Sequence, residues 1–264
     1  MISLLYHDVV ADSDFSASGF GGSGADRYKL TVPEFENHVA AIAEVNHEGA
    51  LTAIDPQALP GADGRIYLTF DDGGVSAHQL TAEILERRGW RGTFFITTDY
   101  IGKPAFLNAG QIRDLRQRGH SIGTHSCSHP PLMARRPRTQ LNREWRDSAA
   151  VLSDILGEPI VLASVPGGFY APNVAAAAAE SGITALFNSD PVSASSRVDG
   201  CQVYGRYAIQ RNVGPRTAAR IVAGDLFPRF IQYCHWHGTM TLQRIGGMYY
   251  HRLRRAWLEG PSAE

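Results

Sequence analysis

Cysteine is scarce in this 264-residue chain, which has three. Cys127, Cys201 and Cys234 are widely spaced and form no C-x-x-C pair, so the sequence offers neither a disulfide framework nor a thiolate metal site, and a reducing compartment is expected. Positive charge is not in excess either. The 25 Lys and Arg face 26 Asp and Glu, a formal net charge of -1, which removes the electrostatic footprint of a nucleic-acid-binding protein. No stretch reaches the ~20 consecutive apolar residues that a membrane span needs. The opening residues, Met1 to Asp8, have no basic segment and their apolar run stops at His7-Asp8, short of a signal-peptide core, so a cytoplasmic location is expected. No repeat or linker divides the chain. A composition of 44% hydrophobic and 19% charged residues suits one large soluble domain.

What the sequence does contain is alternation. Short β-rich runs at 2–6, 65–70, 92–97, 121–124, 160–165 and 184–188 are separated by helical patterns that start near Pro33 and at 77–88, 108–118, 139–156 and 174–180. This order predicts an α/β fold, a deformed (β/α) barrel of seven or eight parallel strands resembling a TIM barrel. Residues 1–64 form a strand, loop and helix ahead of the main repeat. Within them, residues 11–24 are rich in Ser, Gly and Asp and read as a flexible loop that lies over a cleft. At about 239–258, Leu242, Ile245, Tyr249, Leu253 and Trp257 recur at helical spacing among Arg244, Arg252, Arg254 and Arg255. Two uses fit this amphipathic helix: docking on the barrel, or peripheral contact with an anionic membrane surface.

In parallel β/α folds reactive side chains collect where strands end. His7-Asp8, Asp71-Asp72, His125 with His129, and Asn188-Ser189-Asp190 all stand at such ends. Two adjacent carboxylates after a buried strand need a cation, a proton or several donors. Asp71-Asp72-Gly73 therefore fits either a helix cap or a site in which one aspartate binds metal and the other serves as a base. His125 and His129, spaced i and i+4, would share a face if the segment formed a helical turn, as in helical zinc sites; alone, the same spacing also fits two surface histidines.

The stretch Leu68-Thr69-Phe70-Asp71-Asp72-Gly73 resembles the T-F-D-D-G motif of the polysaccharide deacetylases (the NodB-type family, carbohydrate esterase family 4), and His125-Ser126-Cys127-Ser128-His129-Pro130 resembles their H-[ST]-x-x-[ST]-H-P motif. Leu5-Tyr6-His7-Asp8-Val9 is similar to the Y-H-x-V start of one bacterial branch, and Pro166-Gly167-Gly168 to the family's proline turn. The resemblance implies hydrolysis of the N-acetyl amide of a saccharide, with a divalent metal, Zn2+ or alternatively Co2+ or Ni2+. By position it makes Asp72, His125 and His129 the metal ligands, Asp71 the catalytic base, and the Pro166-Gly167-Gly168 turn a candidate for the oxyanion and substrate contact. Related barrels cleave formamides or ring amides, and a binding module without catalysis is a further alternative. The chain departs from the pattern twice. Ser164-Val165 stands where many members have an arginine, and Arg211 is the expected replacement. No L-x-x-H supplies the usual acid. Among His7, His235 and His237, the strand-end position of His7 makes it the expected one.

Overall fold

The computed structural model describes residues 1–47, 49–59 and 64–241. The strands are β1 (Ile2–Tyr6), β2 (Val9–Val10), β3 (Leu30–Thr31), β4 (Ile66–Phe70), β5 (Thr93–Ile96), β6 (Ser121–Thr124), β7 (Leu162–Ser164), β8 (Ala185–Phe187), β9 (Ser195–Val198), β10 (Cys201–Tyr204) and β11 (Tyr207–Ala208). The principal sheet is nine-stranded, in the order β11-β1-β4-β5-β6-β7-β8-β10-β9. Every pairing in it is parallel except that of β10 with β9. This is the alternating parallel architecture expected from the sequence, a curled sheet that forms a half-barrel. β1 lies inside it, between β11 and β4.

The strands are buried on both faces, as a parallel sheet covered by helices requires. Leu4, Tyr6, Leu68, Phe70, Phe94 and Ile122 belong to the main core. The alternate residues Tyr67, Phe95, Leu162, Phe187 and Tyr204 form a second cluster with Ile54 and Leu59. The helices are α1 (Ser23–Asp26), α2 (Val32–Val45), α3 (Ala82–Glu86, preceded by a wide turn at Ala77–Thr81), α4 (Ala109–Gln117), α5 (Arg138–Leu156), α6 (Pro172–Glu180) and α7 (Pro215–Val222), followed by a helix at 226–241. Capping boxes set the starts of α2 and α4. Thr31 with Glu34 and Asn108 with Gln111 each satisfy two backbone donors that a helix start leaves free. Beyond residue 241 the expected C-terminal helix lies outside the described residues.

Residues 11–24 differ from the flexible loop expected. The buried Lys29 ammonium donates to the carbonyl of Phe15 and, at 2.6 Å, to that of Phe20. The Ser18 hydroxyl donates to Asp8 Oδ1 at 2.6 Å. Gly19 packs so closely that a Cβ there would lie 2.0 Å from Asp8 Oδ2. Composition signalled a loop correctly, but its anchors come from the strand ends beneath it. The result brings the ring of Phe20 to 4.8 Å from that of His129.

The two halves of the sheet meet at Gly205-Arg206. β10 pairs with β8 and β11 pairs with β1, so these two residues carry the chain across the seam. Gly205 is required there, since a Cβ would sit 2.3 Å from the Asp190 carbonyl oxygen.

Candidate active site

β4 delivers Asp71 and Asp72, and a turn of backbone separates their roles. Asp72 has φ 75°, in the left-handed region, so the two neighbouring carboxylates point to different partners. Asp72 Oδ1 lies 3.4 Å from His125 Nε2 and 3.5 Å from His129 Nε2. That oxygen is buried and makes no hydrogen bond. One ligand atom from each of the three residues falls within 4.8 Å of the others, a group able to hold a metal ion. An orphaned buried oxygen facing two imidazole nitrogens is what a cation would satisfy, and the donor set suits a zinc-type divalent ion.

The histidines do not sit on a helical turn as their spacing suggested. Residues 125–130 are a loop in which Ser126 and His129 have φ of 67° and 54°. Hydrogen bonds fold this loop back on itself, including His129 N–H to Ser126 Oγ at 3.2 Å. His125 Nδ1 faces the Ser164 carbonyl oxygen at 3.1 Å, an acceptor that places the proton on Nδ1 and leaves Nε2 open toward Asp72. Burial pushes His129 down to about 4, so it is neutral, as a metal ligand must be, near pH 7.

Asp71 has a different environment. Arg206 Nη1 and Nη2 donate to its two oxygens, each at 2.7 Å, and the Ser164 hydroxyl donates to Oδ1 at 3.0 Å. Burial alone would raise its pKa, but the charge and hydrogen bonds of Arg206, with the nearby imidazoles of His125 and His7, outweigh it and hold the carboxyl below its ordinary range. Asp72, likewise buried, is held low by the imidazoles of His125, His7 and His129. Both aspartates are ionised near neutral pH.

Arg206, not Arg211, supplies the guanidinium beside Asp71. Its side chain is 0% exposed, and Nε is anchored to the Asn188 carbonyl at 2.9 Å. Arg211 instead bonds the carbonyls of Lys29 and Asp26 and lies over the Phe15 ring, bracing the loop. Five positions separate the two arginines, and they suffice because the chain crosses the sheet seam at residue 206 and has left the site by 211. A lone arginine inside the apolar run 201–209 was the available signal. Ser164 does not replace the usual arginine; it joins Asp71 to His125.

His7 follows β1 and packs its ring 4.7 Å from that of Tyr28. It is near enough to both aspartates for its charge to bear on them, and its Nδ1 is buried without a partner. His237 pairs with Asp190 at 3.1 Å, and His235 is exposed. In the Pro166-Gly167-Gly168 turn, Gly168 donates to the Val165 carbonyl at 2.9 Å, so its N–H is already used. Gly168 also fits under Ser189 and Trp236, where a Cβ would meet Ser189 Oγ at 2.3 Å. Gly167 is exposed.

A curled parallel sheet whose strand ends carry a carboxylate–imidazole trio beside a separate, ion-paired carboxylate marks a β/α-barrel hydrolase. The sequence model of the polysaccharide deacetylases matches residues 59–186. Over this stretch the chain resembles the polysaccharide deacetylases, and it is a hydrolase of carbon–nitrogen bonds. It is 25% identical over 235 residues to Bacillus subtilis YxkH, whose name assigns it to the polysaccharide deacetylases, covering 87% of this chain and 75% of that one. Over 88 residues it is 32% identical to the peptidoglycan-N-acetylglucosamine deacetylase PgdA of Listeria monocytogenes, which is 33% of this chain and 18% of PgdA. The fold is shared with the Streptococcus pyogenes deacetylase PplD, solved with acetate, at a TM-score of 0.66 and 20% identity over 81% of this chain and 94% of that one.

Proposed function

We propose that this protein hydrolyses the N-acetyl amide of an amino sugar within a glycan or glycan precursor, with Asp72, His125 and His129 holding a zinc-type cation. The observation that carries the reading is the division of labour between the two aspartates: Asp72 faces two imidazoles with an unsatisfied oxygen, while Asp71 is ionised and clamped in place by Arg206. A bound cation would supply the positive charge that polarises the acetyl carbonyl and acidifies water.

The chain's residues do the rest. Asp71 takes a proton from the attacking water, and Arg206 with Ser164 fixes the direction of its lone pairs. Arg206 makes the carboxylate a weaker base but guarantees that it is ionised and correctly aimed. Attack opens the carbonyl, and as the C–N bond breaks the amine leaves with a proton from His7, giving acetate and a free amino sugar. The exposed Gly167 presents the turn's backbone to the substrate oxyanion, since the Gly168 N–H is engaged. The acetate in the PplD structure is the product expected from this bond cleavage.

The test is a panel of N-acetylglucosamine oligomers and N-formyl analogues assayed for acetate and formate with metal-reconstituted protein. Acetate release that disappears with chelator, and falls by about 10²-fold or more in His7→Gln with metal content retained, is the expected outcome. Formate release alone, or turnover indifferent to chelator, overturns the proposal.

Peripheral contact with an anionic membrane surface is a second part of the proposal. No helix among the described residues is long and apolar enough to cross a membrane. Along the helix at 226–241, however, Leu226, Phe227, Phe230 and Ile231 are exposed. The sequence beyond it carries Arg244, Arg252, Arg254 and Arg255 among aromatic residues. An apolar face followed by arginines has the composition of an interfacial helix. Co-sedimentation with anionic phospholipid vesicles is expected, weakened by the double change Phe227→Ser and Phe230→Ser. Equal recovery with and without vesicles would rule it out.

A further inference from the structure

We propose that Glu144 is a positioning residue that holds the His129 arm of the metal site in its binding geometry. The inference rests on the metal-ligand reading of Asp72, His125 and His129. Glu144 lies on α5, one layer behind the site, and is 7% exposed. Its carboxylate turns away from its own helix to the loop between the two histidines. Oε2 accepts the backbone N–H groups of both Cys127 and Ser128, each at 2.9 Å, and Oε1 accepts the Ser128 hydroxyl at 2.6 Å. A buried carboxylate is costly unless its lone pairs are filled, and here all three donors come from one two-residue stretch.

The loop has a reason to need such a clamp. Ser126 and His129, on either side of that stretch, both occupy the left-handed region, which residues with a Cβ avoid. His125 is independently secured, through its N–H to the Ile96 carbonyl at 2.8 Å and through Ser164. His129 lacks an equivalent: its ring is 29% exposed, its backbone N–H bonds Ser126 Oγ, and its ring neighbours are His125 and Phe20. What carries the chain from Ser126 to His129 is therefore the segment that Glu144 binds. Losing the carboxylate would release two backbone donors and let the loop relax toward ordinary dihedrals, carrying His129 Nε2 away from Asp72. α5 is tied into the same region a second time. The Thr124 hydroxyl donates to Ser148 Oγ at 2.6 Å, and the Ser126 N–H bonds Thr124 Oγ1 at 3.0 Å, so the clamp acts from a rigid support.

Zinc affinity is the readout that separates this role from a general contribution to folding. Metal-stripped protein is titrated with Zn2+ against a chromophoric chelator, with unfolding followed in parallel. Glu144→Ala is expected to raise Kd about 10–100-fold, the usual cost of losing a group that orients a metal ligand. Glu144→Gln loses much less, because its amide oxygen can still accept the two N–H groups while its NH₂ donates to Ser128 Oγ. Ser128→Ala, which removes a single arm of the clamp, raises Kd about 2–10-fold. Leu152→Ala, a core change on the same helix, lowers Tm and leaves Kd at the parent value. If Glu144→Ala does not fold, Ser128→Ala decides the outcome. Parent-like zinc affinity in Glu144→Ala, or in Ser128→Ala, overturns the proposal, as does an equal loss in Leu152→Ala. A parent protein that binds no zinc refutes the metal-site reading itself, a separate result from an intact site that ignores Glu144.

Discussion

Asp71→Asn is expected to lower kcat for acetate release by about 10²–10⁴-fold while leaving the metal content unchanged. Asparagine has nearly the shape of aspartate but cannot take a proton from water. The trio of Asp72, His125 and His129 is built without Asp71, whose nearer contact with it is Oδ2 to His125 Nε2 at 3.9 Å. The same change leaves the fully buried Arg206 without its counter-charge. A stability loss therefore accompanies the loss of rate, and kinetics are to be read well below the variant's Tm. Acetate-release kinetics and elemental analysis of the same preparation check the prediction. A variant within about tenfold of the parent would remove Asp71 from the role of base.

Arg206→Met produces the second large effect, and its size depends on pH. Removing one partner of a buried ion pair costs about 3–5 kcal/mol, because the other charge is left uncompensated. In the parent, the folded pKa of Asp71 lies below its unfolded value, so its contribution is present above about pH 3.9 and is lost as pH falls through the folded pKa. In the methionine variant burial loses its largest opponent and only the imidazoles of His125 and His7 remain, so the folded pKa of Asp71 rises from its parent value. The two proteins then differ most where Asp71 is ionised in both and least where it is protonated. The deficit of the variant relative to the parent should be largest near neutral pH and shrink on acidification. Urea unfolding of metal-free protein at pH 7 and pH 5 measures it. A deficit equal at both pH values, or an equal pH-dependent deficit in Arg211→Met, would contradict the assignment. The variant's kcat should also fall, because the direction of the Asp71 lone pairs depends on the bidentate contact.

The parts of the site legible in the sequence are those whose chemistry is local. Asp71 and Asp72 are adjacent at the end of a buried strand, and His125 and His129 are four residues apart at the end of another. Strand ends in a parallel sheet converge on one face, so naming the strands was enough to bring the four side chains together. Even so, local spacing misled about conformation. His125 and His129 meet through left-handed loop residues held in place by contacts that the spacing does not encode. At 11–24 composition gave the loop but not its anchors. Serine and glycine describe a chain with little to bury, but the buried ammonium of Lys29 and the carboxylate of Asp8 organise it.

The sequence alone determined the alternation of strands and helices as far as residue 188, the trio of Asp72, His125 and His129 that could hold a metal ion, and the separate carboxylate of Asp71, because each depends on a short pattern or on a strand ending. Only the tertiary structure decided which arginine serves Asp71. The two are 135 residues apart, and their pairing depends on where the chain crosses from β10 to β11. At that seam Gly205 lets the backbone pass and the next side chain turns inward over Phe95. Five residues later the chain is outside the site, and Arg211 is left bracing a loop.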